Sequence, residues 1–196
     1  MILKYEKPKH HTFCGGKTED VILLCNRNNR QITARQIQTG EVSMLAGGVR
    51  IQGADLQEIA KIRTWQELLF PLHGKVEREY TAEAAAQTVW NTEVMELLQS
   101  LHEEKGAFLF RIEYKGSLDE RKKSEFVKKT ASLLEEKSER MLINSISDYE
   151  IEIRIVESKK GGYLPFLRLY TMEDERFAYR KESIAASIAP VNAALI

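Results

Sequence analysis

The sequence has little cysteine, little proline and no long apolar run. Its two cysteines, Cys14 and Cys25, cannot build a disulfide framework, which fits a reducing compartment. No apolar run reaches the roughly 18 residues that a membrane-spanning helix needs. Residues 1–9 mix Lys, Glu and Pro where a secretory signal would be apolar. These absences predict a cytoplasmic protein with no membrane partner.

An excess of basic charge is also missing. The chain has 29 Lys and Arg against 29 Asp and Glu, so its formal net charge is zero. This balance excludes a strongly basic nucleic-acid binder, but a local basic face stays possible because phosphate binding depends on nearby charges. With 43% apolar residues among 196, the chain can bury the core of one large domain or two small ones.

The first third of the chain predicts short strands. Asp20–Cys25 is mostly apolar and predicts a strand, and an Asn-containing turn follows it. Apolar and polar residues then alternate over Arg30–Ile37, which predicts a second strand that forms a hairpin with the first. Val42–Ala46 and Val49–Gln52 flank a Gly-Gly pair and predict a second hairpin.

A short helix and a further strand complete this third. Asp55 is expected to cap a helix that carries Leu56, Ile59 and Ala60. The apolar residues from Trp65 to Leu72 then predict a strand that ends near Pro71.

The remainder predicts a mixed α+β fold. Apolar residues recur every three or four positions from Thr81 to about His102, which is typical of one amphipathic helix. Alternation then predicts strands at Phe108–Tyr114 and Tyr149–Val156, with a helix at about 118–140 between them. A Lys-Lys-Gly-Gly loop at 159–162 and further strands at 166–170 and 176–180 complete the order, which favours a sheet with helices packed on it.

Two possible ligand motifs lie near the start of the chain. Gly15-Gly16-Lys17-Thr18 lacks the earlier glycine, the apolar lead-in strand and the lead-out helix of a phosphate-binding loop, so we interpret it as a turn. His10, His11 and Cys14 carry zinc-binding groups but lack a second pair at finger spacing. We therefore predict no metal site.

Catalytic signals are equally sparse. His73 and His102 have no serine in a nucleophile turn to accompany them. No strand is followed by a Gly-x-Gly-x-x-Gly fingerprint, and no acidic-Pro-Pro-aromatic quartet is present. We therefore predict no catalytic residue and no cofactor in this chain.

Basic residues are concentrated in the second half. Between Lys115 and Arg140 there are eight basic and six acidic residues, so the charges nearly balance. Such a balance is typical of an ordinary solvent-exposed helix face. The lysines of the Lys-Lys-Gly-Gly loop are more suggestive, since flexible lysines beside glycines can approach a phosphate backbone.

An ordered series of segments resembles the N-terminal part of the THUMP-containing RNA methyltransferases. It begins with Gly48-Val49-Arg50-Ile51-Gln52-Gly53, a helix and Arg63-Thr64, and it continues through the middle helix to Phe108-Leu109-Phe110-Arg111-Ile112. A Lys-rich helix, the 149–156 strand, Arg176-Phe177-Ala178-Tyr179-Arg180 and Ile188-Ala189-Pro190-Val191-Asn192-Ala193-Ala194-Leu195 complete it. The resemblance covers about three quarters of the chain and contains no catalytic motif.

The resemblance implies three segments. A divergent or incomplete ferredoxin-like lead domain would span 1–75, a THUMP-like RNA-binding α/β domain 76–182, and a connector 183–196 toward a methyltransferase domain in cis or in trans. The first forty residues lack the family's opening strand and Gly-Leu-Glu helix, and the chain ends at Ile196 before any cofactor motif. S-adenosylmethionine is implied for that missing domain alone.

The resemblance also implies a partner, structured RNA and in particular tRNA, recognised by shape and 2′-hydroxyl contacts. Tyr163 and Tyr179 would then be candidates for stacking on an unpaired base, with burial in the core as the open alternative for each. The RNA-binding residues expected on this basis are Lys122, Lys123, Lys128, Lys129, Arg154, Lys159, Lys160, Arg168, Arg176, Tyr179 and Arg180.

Two alternatives stay open from the sequence. Net zero charge favours a protein-interaction scaffold with solvated charged faces and no nucleic-acid role. A small-molecule enzyme that uses His73 or His102 is the other. THUMP domains also accompany thiolation and deamination enzymes, so the methyltransferase assignment depends on the C-terminal Tyr-Arg and Ala-Pro segments.

Overall fold

We describe the fold from a computed structural model. It describes residues 18–73, 79–90, 92–101, 106–172 and 176. Along the chain lie β1 Thr18–Leu24, α1 Arg30–Gln36, β2 Glu41–Leu45, β3 Gly48–Asp55, α2 Leu56–Ile59, β4 Glu67–Pro71, α3 Ala82–Val89, α4 Thr92–Leu101, β5 Phe108–Lys115, α5 Glu120–Lys137, β6 Leu142–Asn144, β7 Ile151–Glu157 and β8 Tyr163–Leu169.

The strands form one eight-stranded sheet in the order β2-β3-β1-β4-β8-β7-β5-β6. The pairs β5–β6 and β5–β7 are parallel, and the other five pairs are antiparallel. The β4–β8 pair, with Phe70 opposite Leu167, joins the strands of the first half of the chain to those of the second. The expected mixed α+β class is confirmed. No helix in the described part of the chain is long and apolar enough to cross a membrane.

The core lies on one face of this sheet. Its fully buried side chains include Leu23, Ile51, Phe70, Phe110 and Ile153. Helices α3 and α5 pack on each other, α3 contacts β8, and α5 contacts β5 and β6. Residues at alternate positions of the same strands point to the opposite face, which carries the charged groups considered below.

The expected hairpin between Asp20–Cys25 and Arg30–Ile37 is wrong in its second arm. Residues 30–36 form α1, and Thr33 is its buried residue. The reason is topological, because β3 and β4 flank β1 on both sides and leave no edge for a returning strand. The Asn-containing turn is present, and Asn29 fixes it by donating its side-chain amide to the Thr64 carbonyl at 3.2 Å.

The other expectations for the first third are confirmed. β2 and β3 form the second hairpin, with Leu45 opposite Gly48 across the turn. Gly48 is closely packed, since a Cβ there would lie 2.1 Å from the Leu23 carbonyl oxygen. Asp55 caps α2 by accepting a hydrogen bond from the Gln57 amide at 2.9 Å, and β4 ends at Pro71.

The predicted long middle helix is two helices. The chain leaves helical geometry at Trp90, whose ψ of 94° is extended. The break lets Val89 in α3 and Val94 in α4 both become fully buried. Thr81 caps α3 by accepting from the Ala84 amide at 3.1 Å.

The second half follows the prediction closely, with one addition. β5, α5, β7 and β8 lie where the periodicity placed them. The three-residue strand β6 was not predicted, since three residues are too few to show a period, and it is held by parallel pairing to β5. The predicted strand 176–180 and the 183–196 connector lie outside the described residues, apart from Arg176, which is in a 3₁₀ turn. The proposed 1–75 and 76–182 domain division stays a prediction.

Candidate nucleic-acid interface

Charged side chains form a ladder on the sheet face opposite the core. Arg111 of β5 and Arg168 of β8 are both register partners of Glu152 on β7, so the three side chains share a face. Arg111 Nη2 donates to Glu152 Oε2 at 2.6 Å and to the Tyr170 hydroxyl at 3.0 Å. Burial alone raises the pKa of Glu152, but hydrogen bonds from Arg111 and Arg154 outweigh it and lower the pKa below its usual value. The Glu152 carboxylate is therefore a buried, ionised centre.

Arg154 lies inside this ladder and differs from its expected role. Its Nη1 donates to Glu67 Oε2 at 2.7 Å, and its Nη2 donates to Glu152 Oε1 at 2.7 Å. The side chain is only 11% exposed. A guanidinium that is buried between two carboxylates has no donor face turned to solvent phosphate, so this geometry does not support the expectation that Arg154 contacts RNA.

Arg168 and Arg176 are also engaged within the protein. Arg168 Nη1 donates to Glu67 Oε1 at 3.0 Å, and its guanidinium lies 4.7 Å from the centre of the Tyr170 ring. Arg176 is buried, donates to the Trp65 carbonyl at 2.9 Å and stacks 3.2 Å from the centre of the Trp65 ring. Arg176 is thus held against the residues before β4, and its geometry does not support the expectation that it contacts RNA. Tyr179 and Arg180 lie outside the described residues.

The lysines of α5 differ in their availability. Lys122 lies 3.6 Å from Asp119, and Lys123 lies 3.8 Å from Glu120. Lys129 pairs with Glu83 of α3 at 2.5 Å. Lys128 is exposed and has no ion pair among the described residues. Most of this helix face is thus paired with neighbouring carboxylates.

The turn between β7 and β8 presents Lys159 and Lys160. Both lysines are exposed, and neither has an ion-pair partner in the part of the chain that the structure describes. The turn closes through a hydrogen bond from the Ser158 amide to the Gly162 carbonyl at 3.0 Å. Gly161 and Gly162 have φ values of 99° and 72°, a region where a side chain is strained. The two glycines therefore hold the lysines at the tip of a tight turn.

Two helix N-termini lie beside this turn. Tyr80, just before α3, donates its hydroxyl to the Ser158 carbonyl at 2.5 Å. Ser117, just before α5, donates its amide to Glu157 at 2.8 Å. We call residues 80–82, 116–120 and 158–162 the turn surface. Helix N-termini carry a partial positive charge, so α3 and α5 add to the lysine charges here.

Carboxylates in and beside the turn surface have protein partners. Asp119 accepts from the Lys122 amide at 3.0 Å as the cap of α5. Burial opposes ionisation of Glu157, but hydrogen bonds from Ser117 and Tyr114 outweigh it and lower its pKa. These acids hold the turns and stay ionised, so Lys159 and Lys160 are the cations of this surface whose side chains have no ion-pair partner among the described residues.

Tyr80 was missed by the sequence reasoning. It is 51% exposed and packs edge-on against Tyr163, with ring centres 5.6 Å apart. For Tyr163 the sequence left both base stacking and core burial open, and the structure places it in the core at 1% exposure. The exposed aromatic ring at this surface is therefore that of Tyr80. No sequence signal near residue 80 places it beside a turn almost 80 residues later.

The alternative chemistry at His73 has little support in the geometry. His73 Nε2 lies 2.8 Å from Asp20 Oδ2, and Arg50 holds the same carboxylate at 2.6 Å. Burial opposes ionisation of Asp20, but these two partners lower its pKa. Ser100 lines the same hollow, but its hydroxyl donates to the Leu97 carbonyl at 2.9 Å. The arrangement is an ion-pair cluster, and His102 lies outside the described residues.

Metal binding also finds no support in the described ranges. No group of three or more His, Cys, Asp or Glu side chains that could hold an ion occurs within them. Cys25 is buried, and burial raises the pKa of its thiol. His10, His11, Cys14 and most of the Gly15–Thr18 turn lie outside these ranges.

Comparison with known proteins gives likeness in fold. No protein-family model matches the sequence, and no curated protein matches it. Among solved structures, TrmN from Thermus thermophilus superposes with a TM-score of 0.59 at 16% identity, over 90% of this chain and 52% of that one. A predicted N6-adenine-specific DNA methylase from Listeria monocytogenes gives 0.58 at 16% identity, over 91% and 47%.

A third structure, of a 4-thiouridine synthetase in complex with RNA and ATP, gives a TM-score of 0.50 at 14% identity, over 79% of this chain and 44% of that one. The chain therefore spans about half the length of the solved structures it resembles. At these identities the likeness establishes a shared fold.

Proposed function

We propose that this chain binds structured RNA, with tRNA as the expected species, through the turn surface. The observation that carries the proposal is the pairing state of the basic residues. Among the described lysines and arginines that were expected to bind RNA, those whose side chains have no ion pair or hydrogen bond to another described residue are Lys128, Lys159 and Lys160. A lysine strengthens RNA binding when its ammonium group neutralises a phosphate and releases the counterions bound there. A lysine that is already paired with a carboxylate is less available for this.

The contacts around the two loop lysines suit an RNA backbone. Each lysine lies at the tip of a turn that the glycines keep narrow, so a phosphate can approach closely. The N-termini of α3 and α5 add partial positive charge on the same side. Tyr80 offers an exposed ring beside them for stacking on an unpaired base.

We further propose that this module is the substrate-recognition part of an RNA methyltransferase. On this view an S-adenosylmethionine-dependent catalytic domain is supplied in cis or in trans, and this chain holds no cofactor. The likeness in fold to TrmN and to the Listeria protein, a predicted DNA methylase, each about twice as long, supports the methyltransferase part of this assignment. The fold likeness to a synthetase solved with RNA supports RNA as the partner.

Fluorescence anisotropy of the full chain with a labelled whole tRNA tests the proposal, against a duplex DNA of similar length across a salt series. We expect preference for tRNA and a steep loss of affinity with salt. Equal affinity for the DNA duplex would reject shape recognition of RNA. No binding at low salt by a folded chain would favour the protein-interaction scaffold instead.

A further inference from the structure

The edge strand β2 lacks the features that normally protect a sheet edge. It lies at one end of the strand order and all five of its residues are exposed. Edge strands in monomeric proteins usually carry lysine, proline, a bulge or an inward-pointing charge. The sequence of β2, Glu-Val-Ser-Met-Leu, contains neither lysine nor proline. Its register with β3 is regular, so it has no bulge. Its single charged residue is Glu41, at the start of the strand.

Apolar surface is concentrated at this edge. The described residues include eight large hydrophobic side chains that are exposed, and four of them lie on β2 or on the neighbouring helix α1. They are Val42 at 37%, Met44 at 50%, Leu45 at 36% and Ile32 at 40%. Val42 and Met44 are register partners of the buried Ile51 and Val49, so they extend the core face of the sheet outward.

Two charges near the edge also lack partners of opposite sign. Arg30 donates Nη1 to the carbonyls of Leu45 and Ala46 at 2.7 and 3.0 Å, and its buried Nε has no acceptor. Neither Arg30 nor Glu41 has an ion-pair partner among the described residues. A basic group is thus fixed at one end of β2 and an acidic group at the other.

We propose that β2 pairs antiparallel with β2 of a second copy of this chain. Pairing about a twofold axis at Ser43 sets Val42 of one copy opposite Met44 of the other, and Glu41 opposite Leu45. Glu41 of each copy then lies across from Leu45 of its partner, whose carbonyl accepts from Arg30, so charges of opposite sign come to the same end of the interface. A C₂ interface needs such self-complementarity, and like charges do not meet in this register.

A cysteine at the twofold axis tests the register directly. Directly opposed residues of an antiparallel pair have Cα atoms about 4.5–5.5 Å apart, within the range of a disulfide. We expect Ser43→Cys to form a covalent dimer under mild oxidation of the full chain. Leu45→Cys is the matched control, since its two copies would lie about 13 Å apart along the strands. The wild-type chain controls for the native cysteines.

Sedimentation across a concentration series tests the energetics. We expect the wild-type mass to rise with concentration toward twice 22.5 kDa, and Met44→Lys to weaken dimerisation about tenfold or more, because it puts a charge opposite Val42. Ile146→Lys changes an 87% exposed apolar residue elsewhere and is expected to leave dimerisation unchanged.

Three results would overturn the proposal. A wild-type chain that stays monomeric would do so, as would equal crosslinking of the Ser43→Cys and Leu45→Cys variants. Strong hydrogen-exchange protection, in a monomeric sample, of the β2 amides that point away from β3 would show that another part of the same chain covers the strand. None of these results depends on RNA binding.

Discussion

Arg154 and Glu67 are joined across an intervening strand. The 2.7 Å hydrogen bond from Arg154 Nη1 to Glu67 Oε2 links β7 to β4, and β8 lies between them in the sheet. The contact residues are 87 positions apart in sequence. Together with the β4–β8 pairing, this ion pair ties the first half of the chain to the second.

Removing the Arg154 guanidinium is expected to be costly. Arg154→Met removes the two hydrogen bonds that Arg154 donates to the fully buried Glu152, and we expect a loss of about 3 kcal/mol in the free energy of unfolding. Urea denaturation measures it, with Arg121→Met as control. Arg121 is 89% exposed and pairs one turn away with Glu125, so its replacement should cost at most about 0.5 kcal/mol.

A double-mutant cycle with Glu67→Gln isolates the cross-strand link. We expect a coupling free energy of about 1 kcal/mol or more between the two sites. Additive effects would mean that Arg154 acts through Glu152 alone.

The charged ladder also predicts a pH dependence of stability. The folded-state pKa of Glu152 is lowered from an ordinary value of 4.5. A carboxyl group with a lowered pKa contributes stability above its unfolded pKa, and this contribution is lost as the pH falls through the folded value. We therefore expect the wild type to exceed Glu152→Gln in stability at neutral pH, and the difference to shrink steadily below 4.5.

Urea denaturation of both proteins between about pH 3 and pH 7 measures this difference. Other carboxylates, including Asp20, also have lowered pKa values and add to the slope of each curve. The difference between the two curves removes most of their contribution. A difference that is constant with pH would show that Glu152 acts through packing and not through its charge.

Gly48 and its neighbour Gly47 form a matched pair for testing the hairpin. A Cβ at Gly48 would lie 2.1 Å from the Leu23 carbonyl oxygen, which is backbone of the central strand β1 and cannot move alone. A Cβ at Gly47 would meet nothing within 4 Å. We expect Gly48→Ala to lose roughly 2 kcal/mol or more and Gly47→Ala to stay within about 0.5 kcal/mol of wild type. Thermal or urea unfolding compares them, and equal stabilities would contradict the close packing of β3 on β1.

Local patterns in the sequence predicted most elements and failed where topology decides. Alternation located β5 and β7 because each buries one side chain in two along a regular strand. It did not reveal that Glu152 and Arg154, on the polar side of β7, are buried as well. That burial depends on Arg111 and Glu67, which distant strands bring alongside. The same limit explains residues 30–36, whose weak alternation could not show that β1 already had two neighbours.

The candidate site divides in the same way. Lys159 and Lys160 were predictable because a Lys-Lys-Gly-Gly run between two strands can only be a turn. Tyr80 was not, since its contact with Ser158 joins residues 78 positions apart. The lysines available to phosphate differ from the others in having no carboxylate partner. Ion pairs can be identified only in the three-dimensional structure.

The salt dependence of RNA binding distinguishes the lysines of the turn surface from those of α5. Each phosphate contact contributes roughly 0.7–0.9 to the slope of log affinity against log salt concentration. We expect the double variant Lys159→Ala/Lys160→Ala to weaken tRNA binding and to lower this slope by about 1–2. Lys122→Ala/Lys123→Ala is the matched control with the same change in net charge. Because those two lysines already face Asp119 and Glu120, their removal should change the slope by less. Equal slopes for the two double variants, both folded by circular dichroism, would mean that overall charge and not the turn surface determines binding.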